Sequence, residues 1–266
     1  MILLLADDWL WAKMLVGSAI GQASQLYYHL PMCHFAMEVF AVALLRCLPP
    51  SHPVHKLLKE NFQFIVLVNN HQHFLFFRIH SIFQVNTGGR EIILGGGLDG
   101  VYAVGSMGTL DLIKKHFSRM TLDDFDYPKD LERRGLDKIP NFQHRDDSIK
   151  VWNAMEKYVS EYVDLYYPSD KDIQEDYELQ DFIKEIAENG FVRLRKMSPP
   201  NKLMHKSELV NLLVKIIFTT TAKHSSFNFF EYQRFIPNAP YAIEVGCLIT
   251  LLPQQVYPIF LGSLTN

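Results

Sequence analysis

Apolar residues recur at helical spacing through most of the chain, and no long alternating segments occur, so the expected fold class is mainly α. The strongest pattern begins at Asp146. Val151, Trp152, Met155, Tyr158, Val159, Tyr162, Val163 and Tyr166 repeat along one helix, which predicts a core-facing stripe stopped by Pro168. Residues 8–19 predict a short helix and residues 24–47 a longer buried one, ended by Pro49-Pro50-Ser51-His52-Pro53. Residues 54–69 carry a mixed pattern. Thr109–Met120, Asp172–Glu188 and residues 208–223 predict three more helices, the second closed by Asn189-Gly190 and the third N-capped by Ser207. Asp123–Lys138 reads as charged surface with turns at Tyr127-Pro128 and Gly135, and residues 191–205 read as loop.

Within this pattern His29 and His34 interrupt the apolar run Tyr28–Phe40. Imidazole is the commonest neutral metal ligand. On an ideal α-helix, positions i and i+5 point about 140° apart, given roughly 100° per residue. A π-turn brings them nearly into line, and such turns favour functional sites. Pro31 lies between the two and lacks a backbone donor. It either sits where a π-turn already frees a carbonyl or spoils the ligand geometry. Far downstream, His224 and Asn228 are i and i+4, about 40° apart on one helical face. Three imidazoles and a carboxamide oxygen make a donor set without thiolate, better suited to iron(II) or manganese than to structural zinc. The competing reading is that these are core histidines satisfied by hydrogen bonds.

Composition narrows the classes. Of 266 residues, 48% are hydrophobic and 21% charged, which reads as globular. A net charge of −3 gives no basic face, so no nucleic-acid partner is expected. Cys33, Cys47 and Cys247 form no pairing pattern, which fits a reducing compartment and a cytoplasmic location. Met1–Ala6 is apolar but is cut short by Asp7-Asp8, so a signal peptide is not expected. Residues 14–48 are apolar, yet His29, Pro31, His34 and Glu38 make a buried helix a better reading than a membrane span. Gly95–Gly100 fits G-x-G-x-x-G, but Gly105 and Gly108 continue the run as a loop.

The ordered text around the histidines resembles the lipoxygenases. Trp9-Leu10-Trp11-Ala12-Lys13 resembles the family's WLLAK. Glu38-Val39-Phe40-Ala41-Val42-Ala43, Arg46-Cys47-Leu48-Pro49, His52-Pro53 and Lys56-Leu57-Leu58 resemble EVFAVA…RCLP…HP…KLL. Arg145-Asp146-Asp147-Ser148, Glu178-Leu179-Gln180 and Pro237-Asn238-Ala239-Pro240 continue the register, with Val151–Val159 and Tyr166–Asp170 nearest the epidermal R-type enzymes. The resemblance implies residues 1–240 as a partial catalytic-domain helical bundle, without the family's N-terminal β-barrel domain. Residues 70–86, including His71-Gln72-His73, read as a non-family insertion, since Val85-Asn86-Thr87 nearly repeats Val68-Asn69-Asn70. Residues 241–266 read as a non-family tail.

By the same resemblance the chain is a non-haem iron dioxygenase that inserts O2 into polyunsaturated fatty acids to give hydroperoxides, or a hydroperoxide isomerase. One iron per chain would be held by His29, His34, His224 and Asn228. The family's remaining ligand, a terminal isoleucine carboxylate, has no counterpart in Leu264-Thr265-Asn266. Gly89 is either a loop glycine or, as the resemblance implies, the position that steers oxygen to an R product. No catalytic side chain is expected beyond the metal site. Peripheral membrane contact belongs to the full-length family and has no support in these residues. The alternatives are an inactive lipoxygenase remnant with a lipid-binding or regulatory role, and a zinc hydrolase. The hydrolase lacks H-E-x-x-H, since Glu38 falls four residues beyond His34.

Overall fold

In the computed structural model the described residues are 25–62, 65–66, 69, 115–190 and 201–228, with Trp9. The side chains of residues 25–27, 30, 227 and 228 are outside that description. Every described element is a helix, as a mainly α chain requires. Nearly all described residues belong to one compact unit spanning Leu30–Gln72 and Lys114–Ser226. Residues 10–19, 70–86, Gly89, Gly95–Gly100, Cys247 and 241–266 lie outside the described residues.

Gln25–Phe35 forms a π-helix that runs directly into α1 (Ala36–Cys47), so the buried helix expected over 24–47 is present. Pro31 is buried inside the π-helical segment. After the proline-rich break, α2 (Pro53–Leu58) starts on Pro53, with His52 as its N-cap accepting from Val54 N–H at 3.1 Å. Lys115–Phe117 is helical, and a turn follows at Ser118-Arg119. Tyr127-Pro128, expected as a turn, instead opens α3 (Tyr127–Arg133). Proline needs no N–H partner in a first helical turn, and the Asp126 carboxylate caps it by accepting from Lys129 N–H at 3.3 Å. The turn at Gly135 is present with φ +67°, a left-handed conformation that glycine adopts without strain.

The helix expected from Asp146 is α4 (Gln143–Tyr166). Its predicted stripe is only partly core. Trp152, Val159 and Val163 are buried, whereas Val151, Tyr158 and Tyr166 are exposed. The single helix expected over Asp172–Glu188 is two, α5 (Asp170–Glu175) and α6 (Tyr177–Glu185), followed by a π-turn over Ile186–Gly190. Asp176 makes the break: its Oδ1 accepts from Leu179 N–H at 2.9 Å and so caps α6. The last long helix is α7 (Lys206–Phe218). His205 with Glu208 forms its capping box, not Ser207, which lies inside the first turn.

Helix α7 is the centre of the packing. From Leu212 to Phe218 it is buried on all sides, which suits a helix wrapped by neighbours rather than an amphipathic surface helix. Helix α4 packs along it, with Trp152 set edge-on to Phe218 at 5.1 Å between ring centres. Helix α1 lies against α6 and the π-turn that follows. That approach depends on Gly190, because a Cβ there would overlap Val39 Cγ1. Valine is short and stiff at χ1, so it has little room to yield. Gly190→Ala is therefore expected to lower stability by about 1–3 kcal/mol, measured by denaturant unfolding.

Candidate metal centre

Two of the π-helical stretches position the histidines singled out above. The first holds His29 and His34. The second spans Thr219–Lys223 and passes into α8 (His224–Asn228). Its origin is local: Thr220 Oγ1 donates to Ile216 O at 2.9 Å and Thr221 Oγ1 to Ile217 O at 2.6 Å. Widening a helix to i→i+5 releases carbonyls, and these hydroxyls occupy them. The π-turn inferred from the H-x4-H spacing is thus present, and Pro31 is accommodated within it.

The two segments meet. His34 Nε2 and His224 Nε2 lie 3.0 Å apart, with the rings nearly perpendicular at 87°. Helix continuity carries His29 five residues before His34, and one ring nitrogen from each of His29, His34 and His224 lies within 4.8 Å of the others. His29 is buried, and the other two rings are partly so. Asn228 lies on the α8 backbone, and its side chain is outside the described residues.

Protonation can be worked out from partners. Asn69 Nδ2 donates to two acceptors, His34 O at 3.0 Å and Glu38 Oε2 at 2.9 Å. That fixes its amide, so Asn69 Oδ1 faces His34 Nδ1 at 3.0 Å, and Nδ1 must carry the hydrogen. The lone pair of neutral His34 is then on Nε2, toward His224. Burial pushes the His34 pKa down, opposed by the Asn69 bond. Burial and then the neighbouring His34 ring push His224 down to about 4, opposed by a hydrogen bond at the Thr220 backbone. Both rings are neutral near pH 7, so the contact depends on the His224 tautomer: with its hydrogen on Nε2 it donates to the His34 Nε2 lone pair, and with its hydrogen on Nδ1 it leaves two facing lone pairs that a cation would bridge. Two nitrogens about 2.1 Å from one ion at right angles are separated by about 3.0 Å, against about 3.4 Å for tetrahedral angles. The observed separation fits neighbouring positions around a six-coordinate ion such as iron(II). Cys33, next to His34, is fully buried with its thiol pushed up to about 12, so it stays protonated and leaves the donors as imidazoles.

A second group, His52 with Asp176 and Glu178, also offers three closely spaced ligand atoms. Its hydrogen bonds assign it another role. His52 Nδ1 accepts from Val54 N–H, so Nε2 carries the hydrogen and donates to Asp176 Oδ2 at 3.1 Å. Tyr167 O–H donates to the same oxygen at 2.7 Å. With neither nitrogen lone pair available, the cluster is a clasp joining the starts of α2 and α6 to the end of α4.

Residue-level reading of the sequence brought out the three histidines but not Asn69 or the part played by Glu38. Glu38 had a signal, at i+4 from His34 on one helical run. Asn69 had none, since its partner is 35 residues away.

The sequence model described as Lipoxygenase matches residues 5–248. The polyunsaturated fatty acid lipoxygenase ALOX8 of Mus musculus is 32% identical over 242 residues, 90% of this chain and 33% of that protein. Hydroperoxide isomerase ALOXE3 of Mus musculus is 35% identical over 237 residues, 88% of this chain and 31% of that protein. A calcium-dependent 11R-lipoxygenase structure has TM-score 0.70 at 32% identity, covering 88% of this chain and 33% of the other. Coral 8R-lipoxygenase has TM-score 0.68 at 28% identity, with 88% and 34% covered. The chain spans about a third of the length of these relatives. Since the family match runs through both histidine-bearing segments and nearly all that lies between, the chain belongs to the lipoxygenase family.

Proposed function

We propose that this chain forms the iron-holding part of a lipoxygenase-type dioxygenase that joins O2 to polyunsaturated fatty acids. His29, His34 and His224 would hold the ion, with Asn228 as a weaker fourth ligand and Gly89 as the position that steers oxygen. The observation that carries the reading is that His34 Nε2, whose lone pair is fixed by Asn69, meets His224 Nε2 at 3.0 Å. When bound, iron supplies the one-electron chemistry that lets a lipid and O2 react. The chain's own residues do the rest. His34 is held in one tautomer by Asn69, His224 is kept neutral by burial, and Met32, Cys33, Ala36 and Met37 are buried and keep water from that stretch. Residues 1–240 are read as the catalytic-domain part, with 70–86 and 241–266 outside the family pattern.

The test loads the full chain with iron(II) anaerobically, then supplies linoleate or arachidonate and O2 while following conjugated-diene absorbance and oxygen uptake. Iron-dependent diene formation is the expected result. Saturable fatty-acid binding with bound iron but no diene would assign the chain a lipid-binding role instead. A chain that takes up no iron would overturn the reading.

A further inference from the structure

Asn69 is fully buried, and it engages its amide on both sides. Oδ1 accepts from His34 Nδ1–H at 3.0 Å, while Nδ2 donates to His34 O at 3.0 Å and to Glu38 Oε2 at 2.9 Å. One side chain thus grips both the ring and the backbone of the same histidine. Glu38 closes the network from the following turn of the same helical run. Aspartate could not replace Asn69, because it would set a second carboxylate against Glu38 and could donate to neither acceptor. A histidine whose Nδ1–H is held by an oxygen acceptor presents Nε2 as a fixed lone pair, and the acceptor makes that nitrogen a stronger donor to a cation.

We propose that Asn69, anchored by Glu38, is a positioning residue that fixes the tautomer and ring orientation of His34 and so sets the chain's affinity for its metal. This rests on the iron-site reading above for its metal arm, and on the hydrogen bonds alone for its tautomer arm. Asn69 makes its contacts through His34 and is not a ligand. Its Oδ1 is turned to His34 Nδ1, the ring nitrogen on the far side from Nε2, and its Nδ2 is engaged by two acceptors.

The experiment has two readouts on the full chain. The first is the imidazole 15N spectrum of the metal-free protein, with the His34 signal assigned by its loss in His34→Ala. His34 is expected as the Nδ1–H tautomer, and Asn69→Ala is expected to return it to the Nε2–H form that free histidine favours. The second is titration with cobalt(II), read by its visible absorption, beside anaerobic iron(II). Asn69→Ala is expected to weaken binding about 10- to 100-fold. Glu38→Gln keeps an acceptor for Asn69 and is expected to weaken it less. An Nε2–H tautomer in the parent chain overturns the proposal, and so does cobalt binding by Asn69→Ala within twofold of the parent. A parent chain with the expected tautomer that binds neither metal overturns the iron-site reading and the affinity claim together, leaving the tautomer role standing. If Asn69→Ala does not fold, the parent tautomer and Glu38→Gln decide.

Discussion

Replacing His224 with alanine is expected to strip the full chain of iron while leaving its helices in place. Outer partners of metal-bound histidines already account for about 10- to 100-fold in affinity, so loss of a direct ligand should cost about 100-fold or more. The helices should survive, because His224 begins the short α8, the last of the described helices, and alanine is the best helix former. Mass-spectrometric metal content of the purified protein, beside far-UV circular dichroism, reads both halves of the expectation. The plainer reading, two core histidines in mutual contact, predicts the opposite pattern: the parent holds no iron, and the variant loses only stability. The pH dependence has a definite sign. His224, at about 4, stays neutral as pH falls from about 7 to about 6, and burial holds His34 below its ordinary 6.5. Iron retention should therefore hold across that step and be lost as pH approaches 4, when protons compete for Nε2.

The separation between what could be read locally and what could not follows from contact distance along the chain. The i, i+5 histidines sit on one continuous helical run, so their π-turn was legible from spacing. The course of α4 was legible from periodicity, but the width of its buried face was not. Its eight apolar and aromatic positions cover more of the circumference than one partner can bury, and only three meet neighbours that bury them. Tyrosine tolerates the outer edge because its hydroxyl can be wet, or bonded as Tyr162 O–H is to Pro53 O at 3.0 Å. Helix boundaries failed where a side chain chose between continuing and capping. Asp176 turned inward to Leu179 N–H and broke one expected helix in two, and His205 took the cap expected of Ser207. Asn69 was invisible because its partners lie 31 and 35 residues away. Its function exists only once His34 and Glu38 are beside it.

Removing the carboxylate of Asp126 is expected to destabilise the chain by about 3–5 kcal/mol, the cost typical of leaving one member of a buried ion pair alone. Lys215 lies on the central helix α7, in the part that is buried on all sides, with its side chain only 5% exposed. Its ammonium is 3.4 Å from Asp126 Oδ2, itself in a side chain 7% exposed, and 3.8 Å from the more exposed Asp123. Burial pushes the Lys215 pKa down, and the two aspartates oppose this, Asp126 first. In Asp126→Ala the ammonium keeps only Asp123, whose side chain is 68% exposed and so screened by solvent. The same change removes the cap on Lys129 N–H at the start of α3. Lys215→Met tests the assignment from the other side. It removes the buried charge, keeps an apolar stem of similar length, and leaves Asp126 within 3.6 Å of Lys129 Nζ. Its loss should be small by comparison, because apolar replacements of buried charges are often near neutral. Denaturant unfolding of both variants gives the ranking directly. Equal losses would mean that the pair holds the helices together by its attraction. A much larger loss for Asp126→Ala would mean that the carboxylate is there to make Lys215 tolerable inside a helix that is otherwise sealed from water.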